Sequence, residues 1–475
     1  MTGRLYPFRV LMMTTLAMLT GCAQVGPDYS PPPLPAGLEE KASLPFDSVT
    51  EAGISANTPP DHWWQLYDDP RLNELVHQAL QINADLRVAA ANLDKAAAVL
   101  REAGAAHGVQ TTLSAGYSRG QESAQGILPS QGTHGLVNVG LGISYDLDVA
   151  GRIRHSIEAA QADAQGQAAA YDLARAAVAG NVVAAYTEAC AAGAQLLVAD
   201  HSVTLQRQSL ALTRRSAEAG LVGPMEVTRS RTLLAQLQAA LPPLEAERKT
   251  ALYLLSTLTG HAPTDIPAHA DHCNTIPQLR QPIPVGDGAA LIRRRPDIRE
   301  AERALSAATA RIGVEVAGLY PSVTLGASLG TSALDGSSPF SQSAFHYSIG
   351  PLISWTMPNR SVARARIDQA GASARAALAA FDASVLTALR EAQTALTIYA
   401  RHLEETNRLL EARNSARQTV TLQRKLGLGG TVSPLDVLDA ERTLAQAEGA
   451  LSASEATLAK DRVHIFMALG GGWEQ

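Results

Sequence analysis

Residues 137–149 read VNVGLGISYDLDV. Every odd position is apolar: Val137, Val139, Leu141, Ile143, Tyr145, Leu147 and Val149. Every even position is small or polar: Asn138, Gly140, Gly142, Ser144, Asp146 and Asp148. A strict period of two marks a strand with one oily face and one wet face. Three further stretches alternate in the same way: TTLSAGY (111–117), SVTLGASLG (322–330) and FHYSIGPLISW (345–355). Their apolar positions include Leu113, Tyr117, Leu325, Ile349 and Trp355, and the opposite positions are mostly Gly, Ser, Thr, Asn and Asp. A one-sided sheet in water needs a cover. A small soluble sheet packed on helices is one answer. The wet faces carry almost no large residue with which to build a second core, however, and the pattern matches an outward-apolar, inward-polar membrane barrel. Tyr117, Tyr145, Phe345, Tyr347 and Trp355 stand near strand ends, where an interfacial aromatic girdle lies.

Four strands do not close a barrel, for which about eight is the practical minimum. An open edge in lipid leaves backbone groups without partners, at several kcal/mol each. The strands therefore call for more than one chain. Two chains supply eight strands and three supply twelve.

The rest of the sequence is helical in pattern. Hydrophobic residues make up 46% of the 475 positions but aromatics only 4%, so alanine carries much of the apolar content and close helix packing is favoured. Long helices are expected at about 153–219 and 361–428, each followed after a Gly/Pro turn by a second helix to about 259 and 467. Val437, Leu444, Leu451, Leu458 and Ile465 recur every seven residues, and Val227, Leu234, Leu241 and Leu255 keep the same phase, which is coiled-coil spacing. Pro242-Pro243 must interrupt its helix. A helix of about 65 residues is about 100 Å long at 1.5 Å per residue, a length suited to spanning a compartment.

The chain also repeats. GLVGPMEVTRSRTLLAQ from Gly220 matches GTVSPLDVLDAERTLAQ from Gly430 in one register, and the offset continues to Gly260 and Gly470. Two copies of one unit are implied. The expected segments are a leader at 1–21, a tether and equatorial segment at 22–70, repeat one at 71–260, a linker at 261–295, repeat two at 296–470 and a tail at 471–475.

The N-terminus carries Arg4 and Arg9, then the short apolar run VLMMTTLAML, too short for the ~20 residues a bilayer span needs. This is signal-peptide grammar. It ends in Leu19-Thr20-Gly21-Cys22, which resembles a lipoprotein box and makes Cys22 the acylation site; Ala23-Gln24 after it favours the outer membrane.

Other features yield less. The net charge of −6 argues against a nucleic-acid partner. Cys22, Cys190 and Cys273 are too few and too scattered for a disulfide framework, and Cys190, in an Ala-rich helix, reads as a small buried hydrophobe. His261, His269, His272 and Cys273 cluster, but their spacing fits no metal pattern. Only Met225, Met357 and Met467 lie beyond the leader, too few for a soft-metal relay. Arg293-Arg294-Arg295 precedes a Pro-Asp helix start and reads as structural. No catalytic residue, metal set or cofactor is expected, apart from the covalent lipid on Cys22.

Taken in order, the lipobox LTGC, HWWQLYDDPRLNELVHQAL (62–80), YDLDVAGRIR (145–154), LIRRRPDIREAERALSAATARIGV (291–314), YPSVTLGASLG, TVSPLDVLDAERTLAQAE and ALGGGW (468–473) resemble the outer-membrane factors of tripartite efflux systems. These are the TolC-like channels, here of the NodT lipoprotein subgroup. The resemblance implies a mainly α chain with a membrane β-barrel. Three chains give a 12-stranded barrel, four strands per chain, joined to a periplasmic α-helical barrel of coiled-coil hairpins. It implies a homotrimer in outer-membrane lipid that meets a periplasmic membrane-fusion adaptor and an RND pump of the inner membrane, and conducts small toxic molecules passively. Type I protein secretion is the alternative; a periplasmic coiled-coil scaffold without a pore leaves the four strands unexplained. The hairpin tips Gly220, Pro224, Gly430 and Pro434 would meet the adaptor. By resemblance Asp439 and Arg442, three apart on one helix face, with Asp436 beside them, belong to the periplasmic gate; a solvated surface ion pair is the plainer account.

Overall fold

The computed structural model describes residues 25–35, 37–46, 53–121, 133–334, 337–355, 360–428 and 431–471. The leader, Cys22 and Gly430 lie outside the described residues. The chain forms two compact units. Of the described residues, the first gathers those within 25–33, 92–167 and 300–381; the second gathers those within 34–91, 168–299 and 382–471. Each unit thus draws on both halves of the sequence.

Unit one holds a four-stranded antiparallel sheet of β2 (Gln110–Gln121), β3 (Thr133–Leu147), β5 (Ser322–Leu334) and β6 (Phe345–Ser354), in the spatial order β2-β3-β5-β6. Strands β2, β3 and β5 run longer than their alternating motifs, whereas β6 stops one residue short of its own. Strand β3 turns directly into α3 (Arg152–Glu218), a helix of 67 residues. Asp148 makes that turn: its two carboxylate oxygens accept the backbone N–H groups of Ile153 (3.0 Å) and Arg154 (2.8 Å). A carboxylate on the orphan donors of a first turn is favoured by hydrogen bonding and by the helix dipole. The same unit contains the greater part of α7 (Pro296–Ala317) and the start of α8 (Arg360–Leu428).

Among the described residues unit two is mainly helical; its extended pairings are the parallel pair of β1 (Ile54–Ser55) with β4 (Ile283–Pro284) and an isolated antiparallel bridge of Pro45 with Asp287. Helices α1 (Pro70–Ile82) and α2 (Ala84–Ala105) precede the sheet in sequence. After α3 come α4 (Pro224–Ala239) and α5 (Leu241–Leu258), broken at Ala240 as Pro242-Pro243 requires. The short α6 (Gly288–Arg294) leads into α7, and α9 (Pro434–Ala468) closes the chain. Burial along the heptads is graded. Val437 and Leu444 are half-buried, whereas Leu451, Leu458 and Ile465 are buried.

Named motifs prove to be fasteners of this unit. Asp69 caps α1 with one carboxylate oxygen, on the N–H of Arg71, and accepts the Tyr186 hydroxyl of α3 with the other at 2.8 Å. Burial, followed by the Asp69 bond, raises the pKa of Tyr186. Trp63 stacks on Phe466 at 4.6 Å between ring centroids. Arg294 bonds Asp61 at 2.7 Å, and Arg295 bonds Asp297 (2.7 Å), Glu391 (3.0 Å) and the Ala468 carbonyl (2.8 Å). Burial alone would lower the Arg295 pKa, but its two carboxylates outweigh it and the net shift is upward. Arg294 and Arg295 therefore act inside the protein, while Arg293 is exposed.

One expectation is corrected. Cys190 is buried, but it is not a free thiol: it forms a disulfide with Cys273, 83 residues on. The bond ties the 261–287 segment to α3 and removes Cys273 from the histidine cluster, of which His261 is engaged by the Thr259 hydroxyl at 3.2 Å. Sequence spacing does not reveal which segments dock on which helix, so the pairing was invisible there. Closing a loop of this length is worth about 4–5 kcal/mol in the chain-entropy model. Cys273→Ser, or added reductant, is expected to lower the thermal unfolding temperature of the purified protein; an unchanged transition would mean that the bond carries no stability.

Candidate functional site

The first candidate site is the sheet itself. Its pairing register decides which side chains share a face. Leu113 faces Leu141, Leu141 faces Leu329 and Leu329 faces Tyr347, so one apolar row crosses all four strands. The Thr111–Ile143–Ala327–Ile349 row lies beside it, and Leu147–Val323–Ile353 ends the face. The intervening rows belong to the other side: Thr112–Gly142–Ser328–Ser348 and Ser114–Gly140–Gly330–His346. A slip of one residue in any strand would scramble both faces; none has slipped. The wet face is bonded across strands, by the Thr324 hydroxyl to Asp146 (2.6 Å), Ser332 to Asn138 (2.7 Å) and Ser328 with Ser348 (2.8 Å).

The oily face is uncovered. Leu113 is 76% exposed, Tyr347 74% and Ile349 81%. Such a continuous bare apolar surface marks a protein or membrane contact. Tyr117 closes it at one end, and Tyr145 and Trp355 lie near the other. Tyr347 falls on the Leu113 row, short of either end. The two outer strands, β2 and β6, are exposed along their whole length and pair on one side only within the chain.

The second candidate site is at the hairpin turns of unit two. Gly220 adopts φ 71°, where an L side chain is strained, and ends α3: its N–H bonds the Ala217 carbonyl and that of Leu221 bonds Ser216. At the second turn the Thr431 N–H reaches Leu426 in the same six-to-one pattern. Pro224 and Pro434 each stand at the first helical position, where a missing N–H costs nothing. Asp436 closes a capping box with Ser433, whose hydroxyl accepts the Asp436 N–H at 3.2 Å.

Asp439 and Arg442 bond each other one turn apart, both more than half exposed. The carboxylate that joins the hairpins is Glu441, one position before Arg442 and largely buried. Arg424 of α8 donates to its Oε1 from Nε (3.0 Å) and Nη2 (2.8 Å), and Ser209 of α3 donates to its Oε2 at 2.8 Å. Glu441 therefore links α9 to its own hairpin partner and to the other hairpin. It borders an open cavity of about 440 Å³ lined by Leu205, Leu212, Val437, Leu438 and Arg424. The sequence reading passed over Glu441, since a Glu in a charged helix turn carries no signal of its burial.

The model of the family described as outer membrane efflux protein matches residues 75–261 and 289–471. The chain is 29% identical to nodulation protein T of Rhizobium leguminosarum bv. viciae, over 99% of this chain and 94% of that protein. It is 30% identical to the solvent efflux pump outer membrane protein SrpC of Pseudomonas putida, over 98% of each. The outer-membrane channel OprN superposes with a TM-score of 0.88 at 33% identity, over 95% of this chain and all of that one. The chain belongs to the outer membrane efflux protein family, and its place is the outer membrane.

Leu141→Arg, in the middle of the oily face, is expected to deplete folded protein from the outer membrane, since a lipid-facing arginine costs about 2–4 kcal/mol at mid-depth. Thr112→Arg, on the wet face, should insert normally. Equal recovery of the two variants in membrane fractions would contradict the assignment of faces.

Proposed function

We propose that this chain is the outer-membrane exit duct of an RND-type tripartite efflux pump, acting as a homotrimer. It conducts drugs or other small toxic molecules passively from the periplasmic adaptor and the inner-membrane pump to the outside. The observation that carries the reading is the register-aligned oily face on a sheet with two open edges. From Val137 to Leu147 the face spans ten residue steps, about 34 Å at 3.4 Å per residue, and a barrel tilt of about 40° reduces this to about 26 Å of height, against the ~25 Å apolar band of outer-membrane barrels. Three chains supply twelve strands, with β2 of one chain beside β6 of the next. The Gly, Ser and Thr face then lines a wet lumen. The relative SrpC is the outer membrane protein of a solvent efflux pump, which supports small-molecule cargo here.

Acylation of Cys22 adds a lipid anchor to the strands. The hairpin tips at Gly220, Pro224, Gly430 and Pro434 meet the adaptor and form the resting closure, to which Asp436, Asp439 and Arg442 belong. An exposed pair such as Asp439–Arg442 is worth under about 1 kcal/mol. The less exposed Glu441 bonds resist opening more, because they join the two hairpins and cutting them strands a carboxylate.

Native mass of detergent-extracted protein tests the reading: a trimer with one acylated N-terminus per chain supports it, and a monomer released without detergent overturns it. Closure is tested in planar bilayers. Glu441→Gln is expected to raise resting ion conductance more than Asp439→Ala/Arg442→Ala does. Unchanged conductance in both would remove these bonds from the gate.

A further inference from the structure

His155 stands in the first turn of α3 and is 1% exposed. Both of its ring nitrogens face acceptors: Nδ1 lies 2.9 Å from the Glu158 carboxylate, and Nε2 lies 3.0 Å from the backbone carbonyl of Val25. Glu158 is bridged in turn by Arg154 at 3.4 Å, so the ring is fixed on both sides and its buried polar atoms have partners.

The carbonyl that His155 holds belongs to the N-terminal segment, which is fastened along its described start. The Val25 N–H reaches the Ala150 carbonyl at 3.4 Å, at the β3–α3 junction. Gly26 lies against the backbone of Gly313 on α7, so closely that a Cβ on Gly26 would stand 2.7 Å from the Gly313 Cα. Gly313 also receives the His155 ring, which a Cβ there would meet at 2.4 Å. Two glycines thus open the slot in which strap and imidazole meet. Tyr29 closes the far end. Its hydroxyl donates to Glu302 at 3.0 Å, and the Arg303 guanidinium lies 5.8 Å from its ring centroid. Burial, then the Glu302 bond, pushes the Tyr29 pKa up to about 12.

We propose that residues 25–29 are a docking strap for the N-terminus and that His155 is its positioning residue. The consequence rests on the acylated-channel reading. Cys22 is three residues from Val25, a reach of at most about 11 Å at 3.3–3.6 Å per residue. With Val25 fastened at the β3–α3 junction, an acyl group on Cys22 has no more than that length of free chain.

Amide hydrogen exchange on the full-length, detergent-extracted protein tests this. His155→Leu is expected to raise exchange in residues 25–29 about fivefold or more, the range that loss of a buried hydrogen bond implies, with β2 and β3 unchanged. His155→Gln, whose amide can still donate to the Val25 carbonyl, should keep most of the protection, and Cys22→Ser all of it. Unchanged exchange in His155→Leu overturns the proposal; so does equal loosening of strap and sheet, which would make His155 a packing residue. A Val25→Cys/Ala150→Cys pair asks the same question with His155 intact: an oxidised cross-link supports the docked strap, and its failure to form overturns it. A chain that protects 25–29 in this way but is monomeric keeps the strap and loses the channel, whereas a trimer with a loose strap does the reverse.

Discussion

A backbone N–H in hydrocarbon has no water to bond. That constraint governs any sheet whose apolar face meets lipid. The sheet satisfies the inner strands β3 and β5 on both sides and leaves β2 and β6 each with a free edge. In water those edges are tolerable, but beside an apolar face of leucine, isoleucine and tyrosine they are not, because the medium that suits the side chains withholds hydrogen bonds from the backbone. The face and the edges together demand neighbours that are strands. Closure by copies of the same chain meets both demands at once, which is why the proposed function and the proposed homotrimer stand on one observation.

The two ends of the long helices are fastened by different chemistry. Next to the sheet, α3 begins on the carboxylate of Asp148 and on the buried His155, both tied to backbone groups, so its start is set by several bonds that reinforce each other. At the hairpin turns the bonds are few and nearer to water: a capping box at Ser433, an exposed Asp439–Arg442 pair, and the Glu441 junction with Arg424 and Ser209. Heptad burial declines in the same direction along α9, from Ile465 to Val437. Low local packing is where local opening is least costly, so the turns open more readily than the strand–helix junction.

The helical unit is held by inward-facing side chains. Arg294, Arg295, Asp69 and Trp63 each join a loop to a helix. Lys460 on α9 bonds Glu188 of α3 at 2.9 Å and Glu247 of α5 at 3.0 Å, drawing three helices to one ammonium. The Cys190–Cys273 bond belongs with them, and such bonds persist in oxidising compartments such as the periplasm.

The sequence by itself determined the elements. Period two and period seven are local properties, so the four strands, the long helices, the proline break and the turn glycine at Gly220 were all legible from residue order. So was the family, through motifs whose order alone is specific. Only the tertiary structure decided partners. That all four oily faces fall on one side of one sheet depends on register between strands up to 200 residues apart. That Cys190 bonds Cys273, that Glu441 rather than Asp439 spans the hairpins, and that His155 holds Val25 depend on which surfaces dock. The physical reason is common to all of them: periodicity tells a residue which side of its own element it lies on, but burial and bonding are set by the element opposite, and no local pattern names that element.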